Sequence, residues 1–532
     1  MDTKQLALTE TAGKVISHDV ATGQVVDLAV LGLQEEIKRD IGTFDLLCLA
    51  WNISNCWAGV SATIALGITQ GGTVTMIYGI LIVALFMGGT ILTLAELASV
   101  YPTAGGQYHW TSILSPPSIS KGLSYLCGAS NVCGWVSLGA GTAIIPAQIV
   151  FSMVVFFHPD FESKPWMIFL IYQGVNFVLA LNNIYVQKRA SWIHDIGLFI
   201  SVSFFLIILI TCLARTPKFQ TNEFVWTTWV DYSNWNAPGL VFFFGVVNPM
   251  YMFGGIDGAL HLAEESPNPS VGVPKAMLWT LIIGVGSTFP FIIAMLYCIS
   301  DLTAVLETPT GQPIYELWYQ ATGSKAAATV FMFILLIGGF FAMNGCQQTA
   351  SRLTWAFARD NGLVFSKHLG RVSKRLQVPV WAIIVNGVVV FIMGCIYLGS
   401  STAFNALIGT GLVIGQFTYA IPAALLLYHK RSSAVLPPGR YFKLPGVFGW
   451  ICNILTVTWA VIVLIFFDFP TSLPVTGSTM NYTCVVLGCM AFFGLINWFV
   501  HAKRHYHGPR LGSHLHYNEE HTGNSMEERH ED

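Results

Sequence analysis

Asp257, His261, Glu264 and Glu265 sit close together in MYMFGGIDGALHLAEE at 250–265. Carboxylates and an imidazole about one helical turn apart can hold a cation or pass a proton, and an imidazole changes charge near neutral pH. The setting sharpens that chemistry, because the stretch continues an apolar run that begins near Val241. An ionised carboxylate deep in lipid costs at least about 2.5–3.5 kcal/mol on insertion scales, so Asp257 must face a cavity, find a partner or carry a proton. Asp257 and His261 are therefore the expected proton-coupling pair. Glu264 and Glu265 lie a turn further on and read as residues of the membrane–water interface. Glu96, just ahead of Pro102, reads as a structural anchor or an inner-gate contact, and Arg352 and Arg359 are expected to meet cytosolic water.

These residues need elements to hold them. The chain is 54% hydrophobic and only 10% charged, against about 25% charged for an ordinary soluble domain, which excludes a water-soluble globule. Apolar runs of about 20 residues, each long enough to cross a hydrocarbon core, recur along the chain. Twelve spans are predicted, at 43–69, 73–99, 122–157, 165–185, 192–214, 239–265, 274–299, 327–358, 379–398, 403–428, 446–468 and 481–501. Their continuous apolar character predicts helices rather than spanning strands, hence an all-α integral membrane protein.

Two spans look interrupted. At a rise of 1.5 Å per residue from Val241, Phe253 lies roughly 18 Å and Asp257 roughly 24 Å into the membrane. Gly254, Gly255 and Gly258 surround them, and glycine costs about 1 kcal/mol in a helix interior, so a break is expected there. Span 1 carries NISNCWAGVSATIAL at 52–66, with small and polar residues that could equally serve close helix packing. Interruptions at corresponding places in spans 1 and 6 point to two five-helix repeats and alternating access. The repeats are expected at about 43–214 and 239–428, with additional helices at about 446–501. A break near Trp57 to Gly59 would turn the amide groups of Val60 and Ser61 toward a substrate carboxylate. Tyr251, Phe253 and Trp57 could offer aromatic faces to an ammonium group, each worth about 0.5–2 kcal/mol.

With a cytosolic N-terminus, 22 of the 26 Lys and Arg fall in inner segments and 4 in outer loops, so both termini are expected in the cytosol. Residues 1–40 and 502–532 read as polar cytosolic tails, the second disordered, and no cleaved signal peptide is expected. All eleven Cys fall inside the spans, which argues for apolar packing rather than disulfides. The tail histidines have no ordered ligand spacing, and neither a metal nor a cofactor is expected.

LAELASVYPTAGGQYHW at 94–110, FGGIDGALHLAEESPNPSVGVPKA at 253–276 and SRLTWAFARDNG at 351–362 resemble the signatures of helices 2, 6 and 8 of the amino acid–polyamine–organocation superfamily. NCWAGVS at 55–61, SSTAF at 400–404 and LPVTGSTMNY at 473–482 are similar to its fungal branch, which carries choline, γ-aminobutyrate and related small amines. The resemblance covers about residues 40–500. It implies a five-plus-five inverted repeat with helices 1 and 6 broken around the substrate. Its substrate loop would fall on Trp57, Ala58, Gly59, Val60 and Ser61, and its aromatic-Gly-acid segment on Phe253, Gly255 and Asp257, with Tyr251 and Gly254 beside them. Trp57 and Ala58 stand where many members have small polar residues, so side-chain selectivity does not transfer. Span 5 also lacks the lysine of some proton-coupled members.

HExxH, GxSxG and the phosphate-loop signature are missing from the sequence, and basic residues are scattered over short loops. Neither an enzyme, an ATP-driven pump nor a nucleic-acid binder is expected. The expected function is proton-coupled uptake of a small amine or amino acid across a lipid bilayer, the plasma membrane or alternatively the vacuolar one. A transporter-like nutrient sensor, or a permease for another amino acid, a polyamine or a vitamin precursor, are the alternatives.

Overall fold

A computed structural model describes residues 36–477 and 479–509. The expectations for residues 1–35 and 510–532, including the tail histidines, lie outside the described residues. Among the described residues ten helices are long and apolar enough to span a membrane, and two broken ones complete twelve. The ten are α2 (Gly72–Val100), α3 (Pro117–Phe157), α4 (Pro165–Tyr185), α5 (Trp192–Arg215), α7 (Pro269–Cys298), α8 (Lys325–Arg359), α9 (Val380–Gly399), α10 (Ser401–Tyr428), α11 (Gly446–Phe466) and α12 (Thr483–His505, with a π turn at Trp498–Ala502). Helix α1 runs in three pieces, Thr43–Ser54, Cys56–Ala62 and Ile64–Ile68; α6 runs as Pro238–Gly245, Val247–Met250, Tyr251–Phe253 and Leu260–Glu265. Among the described residues there is no strand, only an isolated bridge between Gln70 and Asp231. The protein is a multi-pass, all-helical integral membrane protein.

The packing pairs the two halves. Helix α2 packs on α7, α3 on α8 and α4 on α9, each helix against the one five places later, as a two-fold relation between α1–α5 and α6–α10 would produce. Broken α1 lies against broken α6. Helices α2 and α10 are largely buried, whereas α4, α5 and α12 turn most of their surface outward. Phe177, Phe199, Phe492 and Phe493 are exposed there, a cost in water that lipid removes. All eleven cysteines are free.

The chain stays ordered beyond the expected tail boundary at 502. Lys503–His505 is helical, and Tyr506 is buried with its hydroxyl 2.8 Å from Ser124 Oγ. A tyrosine that buries both ring and hydroxyl explains why hydropathy alone misplaced the edge.

Candidate substrate site

The breaks occur where local chemistry permits them. Asn55 ends the first piece of α1 in the left-handed conformation, φ 30° and ψ 59°, which asparagine tolerates better than most residues. In α6, Pro249 supplies no amide hydrogen, and Gly255 has φ +72°. A Cβ on Gly255 would also come within 2.6 Å of Ile53 and 3.0 Å of Trp135, so only glycine fits this turn. The far half of α6 is then a tight 3₁₀ segment, Leu260–Glu265.

The two broken helices are pinned together at these gaps. Asn248 Nδ2 donates to the Val60 carbonyl at 3.0 Å and to Thr63 Oγ1 at 2.7 Å, and Cys56 Sγ donates to the Met252 carbonyl at 2.9 Å. A Cβ on Gly59 would stand 3.3 Å from the Tyr251 carbonyl oxygen, a backbone atom that cannot rotate away. Gly59→Leu is therefore expected to abolish transport, with membrane insertion retained. Near wild-type uptake by that variant would remove the α1–α6 approach from the transport machinery.

The stretches 57–61 and 251–257, expected to form one site, meet where Gly59 approaches Tyr251, yet those of their residues that line a cavity line two different ones. A small cavity between α3, α6 and α10 is lined by Asn131, Trp135, Phe253, Asp257, Gln416 and Tyr419, with Gly254 and Gly255 in its wall. A different small cavity, between α1, α5 and α8, is lined in part by Trp57 and Ala58. The break at Asn55 precedes Trp57 by two residues and starts the second piece toward α5 and α7. The Trp57 ring nitrogen donates to Ser201 Oγ at 3.0 Å, and its ring lies 5.3 Å from that of Phe291. Val60 is buried, and the Ser61 hydroxyl donates back to the Trp57 carbonyl. Tyr251 is half-buried and lines neither cavity. The amide groups at the start of the second piece are those of Cys56 and Trp57, so the expectation that Val60 and Ser61 present that end is corrected.

Asp257 is not a lone carboxylate. Its Oδ2 accepts from Gln107 Nε2 at 2.7 Å, His261 Nε2 at 3.0 Å and Trp135 Nε1 at 3.3 Å, and its Oδ1 accepts from Tyr419 Oη at 2.7 Å. Gln107 is held in turn by Asn131, whose amide donates to Gln107 Oε1 at 2.9 Å. Four donors compensate a buried carboxylate well. The other ring nitrogen of His261 lies 2.7 Å from the Ala104 carbonyl, and a carbonyl can only accept, so Nδ1 carries a hydrogen. The contact between Nε2 and Oδ2 then requires a second proton, whether imidazolium faces carboxylate or imidazole faces carboxylic acid. The pair holds one transferable proton in either form.

Sequence reading missed Gln107, Asn131, Trp135, Gln416 and Tyr419. Asn131 and Gln416 had a legible signal as amides inside apolar spans; Trp135 had none, because an indole in a membrane helix is ordinary.

The end of the bundle that receives residues 36–42 is tied by ion pairs. Arg359 grips Glu264 with two nitrogens at 2.7 and 2.9 Å, and Arg352 Nε meets Glu265 Oε1 at 2.7 Å. Lys188 bridges Glu265 at 2.8 Å and Asp40 at 2.7 Å. Both arginines are buried, 1% exposed for Arg352 and 8% for Arg359 at the side chain, which corrects the expectation that they meet water. Glu264 and Glu265 are likewise buried partners rather than interface residues. A long side chain reaches its partner without being seen to do so in a linear sequence.

A family model described as amino acid permease matches residues 41–490. A Saccharomyces cerevisiae protein named choline transporter is 35% identical over 472 residues, covering 88% of this chain and 83% of that protein. A swainsonine transporter of Arthroderma benhamiae is 31% identical over 480 residues, 89% of this chain and 93% of its own. A Saccharomyces cerevisiae protein named 7-keto 8-aminopelargonic acid transporter is 28% identical over 514 residues, with 85% and 91% covered.

Proposed function

The chain belongs to the amino acid permease family, a transporter rather than an enzyme, and on that premise we propose that it carries a small organic ammonium compound, such as choline or γ-aminobutyrate, by proton-coupled alternating access. The observation that carries this reading is the α3–α6–α10 cavity, where Trp135, Phe253 and Tyr419 surround a space closed at one side by the proton-holding Asp257–His261 pair. Aromatic faces attract an ammonium group most strongly when water is excluded, about 2 kcal/mol against about 0.5–1 at exposed sites. A cation brought beside the pair disfavours its proton, so substrate and proton occupancy become linked through one carboxylate. The curated relative named choline transporter supports the class of substrate.

The end bearing the ion pairs is the cytosolic one in this reading, because the Lys and Arg bias puts both termini inside. The membrane is the plasma membrane, where uptake of an external amine operates. The twelve-helix body at 41–501 then holds the two five-helix repeats.

Uptake of a radiolabelled amine panel in a permease-deficient fungal strain, followed by counterflow in proteoliposomes, tests the reading. Saturable uptake of at least one ammonium compound and its exchange are expected; binding without exchange would make the protein a sensor. Phe253→Ala is expected to weaken apparent affinity for a quaternary or primary ammonium by about 5- to 30-fold, as a loss of about 1–2 kcal/mol implies. A neutral isostere should lose less. Equal losses for both would reduce Phe253 to packing.

A further inference from the structure

The backbone of one residue, Ala104, touches both the proton-holding pair and the ion pairs at the inner end. The Ala104 carbonyl accepts from His261 Nδ1 at 2.7 Å, and the Ala104 amide donates to Glu264 Oε1 at 3.1 Å. Glu264 is the carboxylate that Arg359 of α8 clamps bidentately. Three residues on, Gln107 of the short helix Gln107–Leu114 donates to Asp257, the other member of the pair. Next along that helix, Tyr108 Oη and His109 Nε2 lie 2.8 and 3.1 Å from Asp360 Oδ2, just beyond α8. The segment between α2 and α3 thus grips three residues of α6, Asp257, His261 and Glu264, and one at the end of α8, Asp360.

We propose that this segment, with the Ala104 backbone as its central link, is a proton-operated lock that holds the inner end shut while the Asp257–His261 pair keeps its proton. The proposal rests on the coupling read above and names how a proton would act at a distance. With the proton present, His261 donates both to the Ala104 carbonyl and toward Asp257, so the chain from Asp257 through Ala104 to Glu264 and Arg359 is continuous. Without it, an imidazole lone pair at Nε2 faces a carboxylate oxygen at hydrogen-bond distance. Two acceptors cannot share that distance, and the repulsion is relieved by swinging His261, which takes its Nδ1 donor off Ala104. The 104–107 backbone then loses the partner that seats its amide under Glu264. Buried, hydrogen-bonded ion pairs switch between made and broken rather than deforming gradually, which makes them suited to a two-state gate. A proton arriving from outside closes the inner end. Its loss from the pair releases the lock, and a cationic substrate beside the pair promotes that loss.

Besides Gln107, the groups that face the pair are Tyr419 of α10 and Trp135 of α3. Tyr419 is the one titratable group among them. Around the lock itself, Arg359 and Asp360 face from α8 and its end, and His109 from the short helix. His109 is a second imidazole beside the lock, so the test must separate it from His261.

Amide hydrogen exchange of the substrate-free full chain in lipid nanodiscs, from about pH 5.5 to about pH 8 and corrected for intrinsic exchange, reads the lock through residues 101–110 and 257–266. For one proton, protection is expected to fall by about tenfold per pH unit across the titration. It should be independent of pH in His261→Gln and unchanged in its pH profile in His109→Gln. A wild type without pH-dependent protection overturns the proposal on the unmodified protein alone. A His261→Gln variant that keeps the profile, or a His109→Gln variant that loses it, places the proton elsewhere and overturns it too. Uptake driven by an imposed pH difference is measured alongside. A titrating lock without proton-driven uptake would sink the coupling reading and leave the lock; proton-driven uptake with a lock insensitive to pH would do the reverse.

Discussion

Asp257→Asn is expected to abolish accumulation of substrate against a gradient. The variant copies one feature of a protonated carboxyl, since its amide can donate to a neutral His261 as a carboxylic acid would. It cannot lose that hydrogen, so the site is fixed in one protonation state and a pH difference has nothing to act on. The donors around it add a second cost. Gln107, Trp135 and Tyr419 all point at Asp257, and an asparagine has a single acceptor oxygen. Turned toward His261, its amino group meets the Gln107 and Trp135 donors; turned away, it leaves His261 facing an oxygen without a negative charge. Each buried donor left unpaired costs about 1–3 kcal/mol, so a lower unfolding temperature should accompany the transport defect. Accumulation in proteoliposomes with an imposed pH difference decides the matter. If the variant concentrates substrate as wild type does, the coupling proton travels elsewhere, and His194, buried between α5 and α8 beside Gln348, is the next imidazole to test.

The contrast between what the sequence showed of Asp257 and what it hid is instructive. Its importance was legible, because a carboxylate in an apolar run needs compensation wherever the helix lies. The compensation itself came from three other elements, at sequence distances of 122 to 162 residues, beyond any periodicity. The same division runs through the fold. Twelve spans and the interruptions in the first and sixth follow from hydropathy and glycine content, which are local properties. The position of the α1 break at Asn55 rather than at Gly59 followed from a conformational preference of asparagine that competes with the pull of glycine. That shift of a few residues turns Trp57 from a presumed substrate contact toward Ser201 and Phe291. Arg352 and Arg359 were misread for a related reason: they lie on α8 near its end, where water is the default partner, and their carboxylates come from α6.

Glu96 is where the largest loss of stability is expected. It lies near the C-terminal end of α2, fully buried, and its carboxylate accepts from Arg431 Nη2 at 2.5 Å, Arg440 Nη2 at 2.7 Å and the Leu444 amide at 3.0 Å. The two guanidiniums belong to the 429–445 linker between α10 and α11, so one acid fastens that linker to α2. Glu96→Ala leaves both cations buried with only neutral acceptors, Asn453 for Arg431 and the Leu436 and Pro437 carbonyls for Arg440. Breaking a buried pair from one side costs about 3–5 kcal/mol, because the stranded charge keeps its desolvation penalty. A large fall in the unfolding temperature of the purified protein is therefore expected, with a smaller one for Glu96→Gln, which keeps an acceptor for the Leu444 amide. Replacing all three charges by leucine should recover much of the loss, since an apolar cluster of similar volume carries no stranded charge. An unfolding temperature for Glu96→Ala equal to wild type would show that the linker is held by other contacts. Glu96 reaches none of Glu264, Glu265, Arg352 or Arg359, so the folded fraction of Glu96→Gln should transport with wild-type affinity and pH profile. A shifted profile in that variant would make Glu96 part of the inner gate instead of an anchor behind it.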